Sequence, residues 1–294
     1  MKLRAKSYIK NKLPYGSLFF YPAEYTKNKY SKGVIIVSEK IGILVIHGIG
    51  AVEESFKKDF NTLKNSINNL IPDNLKSRCF WNYLFWLGEI NKKEEEYKKN
   101  IKKYRLNNCF GLRDFILDTV ADEVVYRGNR EESGTIYDNV QKNIYGIIQK
   151  IYSEVGENGK LIIVAHSMGS TIISDYIWDI QNNKTKFKIT NKFEKMEKIA
   201  QIFTLGSTLP IFLMSSENIK PIKIENKKWT NFYDKDDILG YPLQVIKEYK
   251  NIVEDKEVNS GWNPYDSHSG YYKCETVINE IKEIIVKELK EGGK

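Results

Sequence analysis

The chain has three histidines, few enough to weigh one by one, and its serines and aspartates gain meaning from where they fall. The sharpest pattern is Leu161-Ile162-Ile163-Val164-Ala165-His166-Ser167-Met168-Gly169-Ser170. An apolar, β-branched run stops at a small-x-Ser-x-small turn, and a helix-compatible segment, Thr171 to Ile180, follows at once. A serine on so tight a strand-to-helix turn is pushed out of the sheet with its hydroxyl free, and the turn aims the next amide, that of Met168, at whatever the hydroxyl attacks. Ala165 and Gly169 meet the requirement for small side chains where strand and helix backbones pass closely. The chemistry such a serine can do is nucleophilic. It needs a base for its proton, an acid to orient that base, and fixed donors for a developing oxyanion.

Each part is available after the end of a separate expected strand. Among the histidines, His166 is the immediate neighbour of Ser167 and points to the other side of the strand, and His47 is expected to brace its own loop. His268, in a late loop, is left as the base by elimination. The acid is expected to be Asp236, which follows the strand Trp229 to Tyr233; an acid followed by one residue and then a β-branched one fits Asp236-Asp237-Ile238. Asp237 is the alternative acid, and one of the neighbouring aspartates, Asp234 among them, is expected only to cap a turn. The oxyanion donors expected are the N–H of Met168 and one from His47-Gly48-Ile49-Gly50, with Ile49 the choice; His47, Gly48, Gly50 and Gly169 support them. This chemistry calls for no metal and no cofactor.

The elements that must position these residues follow from hydrophobic pattern. Ile41 to Ile46 is a continuous apolar strand, as buried parallel strands are. Glu53 to Leu70 carries Phe56, Phe60, Leu63, Ile67 and Leu70 at helical spacing and stops at Pro72. Cys79 to Trp86 is aromatic enough for a strand. Helices are expected over 112–126, over 137–155 (stripe Val140, Ile144, Ile147, Ile148, Ile151) and over 276–289 (stripe Val277, Ile281, Ile284, Ile285, Leu289). Gly33 to Val37 reads as an edge strand and Ile199 to Leu205 as a buried one. The alternation predicts an α/β fold: a doubly wound, mostly parallel sheet with helices on both faces. Residues 1–33 read as an N-terminal leader packed on a domain of 34–294, with a lid or insertion at 88–130 that includes the charge-dense stretch 92–103.

At this point the chain resembles the α/β-hydrolase superfamily, of the lipase/esterase type. The resemblance rests on Val45-Ile46-His47-Gly48-Ile49-Gly50, Val164 to Ser170, Thr204-Leu205-Gly206-Ser207, Asn231 to Pro242, and Ser267-His268-Ser269-Gly270-Tyr271-Tyr272, and spans about residues 41 to 290. The order Ser, Asp, His along the chain is the one this superfamily uses. Ala165 stands where the family has glycine, and Thr208 where proline often follows Gly-Ser. The resemblance implies a serine hydrolase acting on a carboxylic ester, of a lipid or another acyl compound, through an acyl-enzyme. Acyl transfer or amide hydrolysis on the same fold is the nearest alternative. Ile49, Met168, Leu209, Phe212 and Trp262 are candidates for an acyl pocket, or equally for core.

Bulk properties narrow the classes. The formal charge of +8 invites a non-catalytic basic module that binds nucleic acid or an anionic membrane, but lysine is spread along the whole chain with glutamate among it, and no recognised nucleic-acid module is present. Apolar runs reach strand length only, short of a membrane span. The three cysteines, Cys79, Cys109 and Cys274, lack any C-x-x-C pairing and read as free thiols rather than a zinc site. With no apolar run behind the basic N-terminus, the protein is expected to be cytoplasmic.

Overall fold

The computed structural model describes residues 39–49, 52–88, 96–97, 99–100, 103–104, 126, 135–214, 219–224 and 228–291. The expected leader at 1–33, the edge strand at 33–37, Gly50, nearly all of 88–130 and all of the 112–126 helix except Tyr126 lie outside them.

Six strands form one sheet: β1 (Ile41–Ile46), β2 (Cys79–Leu84), β3 (Lys160–His166), β4 (Ile199–Leu205), β5 (Trp229–Tyr233) and β6 (Glu254–Glu257), in the order β2-β1-β3-β4-β5-β6. All five pairings are parallel. Between them run α1 (Glu53–Leu70), α2 (Asp73–Lys76), α3 (Ile136–Val155), α4 (Gly169–Gln181) and α5 (Leu209–Leu213), and after β6 follow α6 (Pro264–Ser269) and α7 (Glu275–Glu291).

The central strands are buried on both faces, which explains their unbroken apolar runs. Alternate residues divide between two cores. Leu44, Ile46, Ile163 and Ala165 face a cluster built from α3 and α4, while Ile43, Val45, Ile162 and Val164 face one built from α1 and α7. Local signals set the helix limits. Glu53 and Glu54 place negative charge at the start of α1, and the residue before Pro72 turns extended to end it. The Thr135 side chain caps α3 by accepting from Asp138 N–H, and Gly156, at φ 76°, ends it. Ile144, Ile148 and Ile151 on α3 are fully buried, as the stripe requires, whereas Ile147 and Ile284 are half-buried and Leu70 is exposed.

Two elements depart from expectation. β6 is entirely charged, Glu-Asp-Lys-Glu, so no apolar pattern announces it; it adds to the sheet edge through its backbone. The region around His268 is a short helix, not a loop. Asn263 caps it by accepting from the N–H groups of Tyr265 and Asp266, and Pro264 occupies its first turn.

The chain order puts β2 on one side of β1 and β3 on the other. The crevice between the C-terminal ends of β1 and β3 is therefore the switch point at which open α/β sheets place their sites. The Gly48 turn leaves β1 there, and the Ser167 turn leaves β3.

Candidate functional site

Ser167 follows the last residue of β3 with φ 51°, a left-handed conformation that a side-chain-bearing residue adopts only where the surroundings impose it. Three contacts impose it here. The Ser167 N–H donates to Leu205 O at 2.9 Å, and Ser167 O accepts from Ser170 N–H at 3.0 Å and from Ser170 Oγ at 2.5 Å. Ser170 Oγ also meets Ser207 Oγ at 2.7 Å, which ties the turn to the end of β4. Gly169 opens α4 directly against β1: a β-carbon there would lie 2.7 Å from His47 O. Met168, buried, is the N-cap residue of α4.

Gly48 closes over the serine. A β-carbon on Gly48 would stand 2.5 Å from Ser167 Cβ and 3.0 Å from Ser167 Oγ, so the turn after β1 can come this near only as glycine. Its neighbour His47 is buried between aromatic rings, stacked on Phe85 and Trp86. His47 Nε2 accepts from Trp86 N–H at 3.1 Å, so the proton is on Nδ1, which donates to Gly48 O. Burial pushes this imidazole down to about 3, so it is neutral at ordinary pH and serves as a clamp on the turn. Ile49 is half-buried against the α3/α4 core.

The expected base and the alternative acid, Asp237, are carried by α6 and by the turn after β5, and they meet. His268 Nδ1 lies 2.9 Å and 3.0 Å from the two carboxylate oxygens of Asp237. Asp236, the acid favoured by the sequence, is exposed and has no bond to the ring; its N–H donates to Asp234 Oδ1. The reason is a turn. Asp237 N–H returns to Asp234 O at 3.2 Å, which leaves Asp236 on the outside of the bend and carries Asp237 back under the sheet. Asp234 is the capping aspartate: its Oδ2 accepts from Ser260 N–H at 2.6 Å and Ser260 Oγ at 2.9 Å, fixing the segment that leads into α6.

Asp237 is surrounded by donors. Besides His268, Leu239 N–H reaches Oδ1 at 2.9 Å and the Tyr271 hydroxyl reaches Oδ2 at 2.8 Å. Burial alone would raise this carboxyl; the bond and charge of His268, with the Leu239 and Tyr271 donors, outweigh it and hold the carboxyl below its ordinary range. Burial and the adjacent carboxylate push the Tyr271 hydroxyl far up, so it remains a donor, and its oxygen accepts Asp234 N–H at 2.9 Å. Gly206, at φ 54°, passes so near that a β-carbon would lie 2.6 Å from Asp237 Oδ2, which is why Gly follows β4.

With the Nδ1 proton held by a carboxylate, His268 Nε2 is an acceptor. It is buried and has no hydrogen-bond partner among the described residues, and the same is true of Ser167 Oγ. The ring is 16% exposed and the Asp237 side chain 0%, so the carboxylate is closed off from solvent and the ring reaches it only at one edge.

His166 plays a part that strand alternation does not reveal. Its ring does point to the face opposite α3 and α4, but there it meets the turn after α6. His166 Nε2 donates to His268 O at 2.7 Å, and its ring lies 4.8 Å from that of His268 and 5.3 Å from that of Tyr272. Burial, with the nearby His268 ring as a second cause, pushes it down to about 3, so it is a neutral donor. Of the candidate acyl-pocket residues, Met168 and Leu209 belong to the core and Trp262 is 96% exposed.

No protein-family model matches the sequence, and no curated protein matches it. Solved structures do resemble its fold. The chain is similar to the fluorophosphonate-binding serine hydrolase FphF of Staphylococcus aureus (TM-score 0.42, 11% identity, 96% of this chain and 98% of that one). It is similar to Arabidopsis thaliana SOBER1 (TM-score 0.42, 14% identity, 85% and 99%). A cutinase-like protein from Cryptococcus sp. is similar as well (TM-score 0.40, 9% identity, 85% and 95%). These likenesses concern the fold alone, a parallel six-stranded sheet with helices on both faces.

Proposed function

We propose that this chain is a serine hydrolase that cleaves carboxylic esters through an acyl-enzyme. Ser167 is the nucleophile, His268 the general base and Asp237 the acid that holds its tautomer. The observation that carries this reading is a one-way hydrogen-bond chain. Leu239 and Tyr271 donate to Asp237, Asp237 accepts from His268 Nδ1, and the chain ends at a buried Nε2 lone pair with no partner among the described residues. A base so prepared has one thing to do, which is to take a proton, and the buried hydroxyl of Ser167 is likewise unpartnered among the described residues. The two are not bonded to each other in the unliganded protein; such bonds commonly tighten only when substrate is bound.

In the reaction the Ser167 hydroxyl oxygen attacks the ester carbonyl while its proton passes to His268 Nε2. The Met168 N–H, one of the donors left free at the start of a helix, and the Ile49 N–H stabilise the oxyanion. Collapse of the tetrahedral intermediate breaks the bond to the alcohol, which leaves with the proton from His268. Water then attacks the acyl-enzyme, its proton going to His268 and on to Ser167 as the carboxylic acid departs. His166 acts as a positioning residue, fixing the backbone of His268 from below. The test is hydrolysis of short p-nitrophenyl esters together with labelling by a fluorophosphonate. Both are expected in the intact protein and absent from Ser167→Ala; full turnover by that variant would overturn the assignment.

A further inference from the structure

A cavity of about 1210 Å3 opens at the other end of the sheet from Ser167, where β4 and β5 begin. Its walls include Ile180 near the end of α4, Ile199 at the start of β4, and Ile222, all three buried. Lys192, Lys195, Lys198, Lys223 and Lys228 also line it, against one carboxylate among the described residues, Glu197. None of these five lysines joins an ion pair among the described residues, whose ion pairs use other lysines. This is not the even scatter of charge found along the sequence. Over the whole chain basic and acidic residues number 46 and 38, whereas among the described residues lining the cavity the ratio is five to one.

Both halves of the site are fixed by the fold. Gln181, at the end of α4, accepts from Lys223 N–H and donates to Lys223 O, both at 2.8 Å, which pins the segment bearing Ile222 and Lys223 to the helix. Lys198 and Lys228 are the residues just before β4 and β5, so their positions follow the sheet. Apolar walls together with several ammonium groups that join no ion pair among the described residues complement a molecule with an apolar chain and a negative head. The volume exceeds the ~300–1,000 Å3 of ordinary small-ligand sites, leaving room for an extended chain.

We propose that this cavity binds a long-chain carboxylate, with the alkyl chain against the isoleucines and the carboxylate among Lys195, Lys198 and Lys223. The site is separate from the Ser167 crevice and does not depend on the catalytic reading. The experiment therefore uses the full chain carrying Ser167→Ala, titrated with dodecanoate below its micelle concentration and followed by isothermal calorimetry. A parallel titration uses dodecyltrimethylammonium, which has the same chain length and the opposite charge. The expected result is saturable binding of one dodecanoate, at least tenfold tighter than the cation. It should weaken tenfold or more in Lys195→Glu/Lys223→Glu, less in Lys195→Gln/Lys223→Gln, and also as salt is raised. Circular dichroism of the charge-reversed variant checks that it folds; these are exposed side chains and it should. Equal affinity for the two amphiphiles, dodecanoate binding unchanged in the charge-reversed variant, or no saturable binding would each overturn the proposal.

Discussion

Replacing Asp237 by asparagine changes one atom and leaves the volume alone, yet the surroundings of this carboxylate make it a severe substitution. Every group that faces it is a donor: His268 Nδ1–H, Leu239 N–H and the Tyr271 hydroxyl. An amide offers one acceptor oxygen and one NH2, so whichever way it turns, a donor faces a donor. If the NH2 takes the position of Oδ1 it meets Leu239 N–H. If it takes that of Oδ2, the Tyr271 oxygen, already accepting from Asp234 N–H, must take a second proton. Leaving such a buried group unsatisfied costs about 1–3 kcal/mol of stability. The larger effect is on the base. To accept the amide proton His268 must move its own proton from Nδ1 to Nε2, the atom that receives the Ser167 proton in the proposed mechanism. The same tautomer error in a serine protease lowers kcat by about 10^4, or ~5.5 kcal/mol of barrier. The assay is kcat/KM on p-nitrophenyl butyrate alongside the rate of fluorophosphonate labelling, with Asp236→Asn as control. Asp237→Asn should lose three to four orders of magnitude in both, and Asp236→Asn should stay within about twofold, since its side chain is exposed and off the ring. Activity of Asp237→Asn within tenfold of the parent, or an equal loss in Asp236→Asn, would refute the tautomer argument.

Ser167→Gly should be inactive but more stable than Ser167→Ala by about 1–2 kcal/mol, because only glycine is at ease at φ 51°; denaturant melts compare the two, and an Ala variant as stable as Gly would remove the case for strain. His166→Phe keeps a ring but loses the donor to His268 O, whereas His166→Gln can present an NH2 near the same place. We expect kcat to fall about tenfold or more in Phe and to recover largely in Gln. Equal activities in the parent and both variants would make His166 mere filler. Stability should also depend on pH. His47 and His166 fold with pKa values pushed down to about 3, below the unfolded value near 6.5, so the unfolded chain binds more protons between those limits. Stability is then fully present above about pH 7 and is lost as pH falls toward 3, by up to ~1.4 kcal/mol per pH unit for each ring. His166→Gln should flatten that slope in urea melts at stepped pH, and an unchanged slope would mean His166 is not neutral in the fold. Gly48→Ala would force a β-carbon to within 2.5 Å of Ser167 Cβ, and is expected to cost about 1–3 kcal/mol and most of the activity; near-normal turnover would show that the turn after β1 has room to spare.

Much of the frame was legible because it repeats a simple rule. Buried parallel strands have to be apolar throughout, so Ile41–Ile46 and Ile199–Leu205 announced themselves, and the small residues around Ser167 betrayed a backbone crossing. β6 was illegible for the converse reason. An edge strand of Glu-Asp-Lys-Glu is held by its ladder and by Asp255, whose carboxylate accepts from Asn231, Leu243 and Gln244, and none of that leaves an apolar trace. The helix bearing His268 did leave a signal, Asn263 followed by Pro264, a cap and first-turn pair that outweighs the turn-forming look of its neighbours.

By itself the sequence determined which residue types were at hand and in what order: one serine on a tight turn, glycines at two strand ends, a histidine near the last helix, and adjacent aspartates after β5. Those are properties of neighbours along the chain, and local sterics and hydrophobic period suffice to expose them. Which aspartate turns inward was decided by a bend that closes on Asp234 O, and what His166 does was decided by where a turn a hundred residues away comes to rest. Both depend on contacts between segments that only the assembled sheet brings together, and no pattern within either segment carries that information.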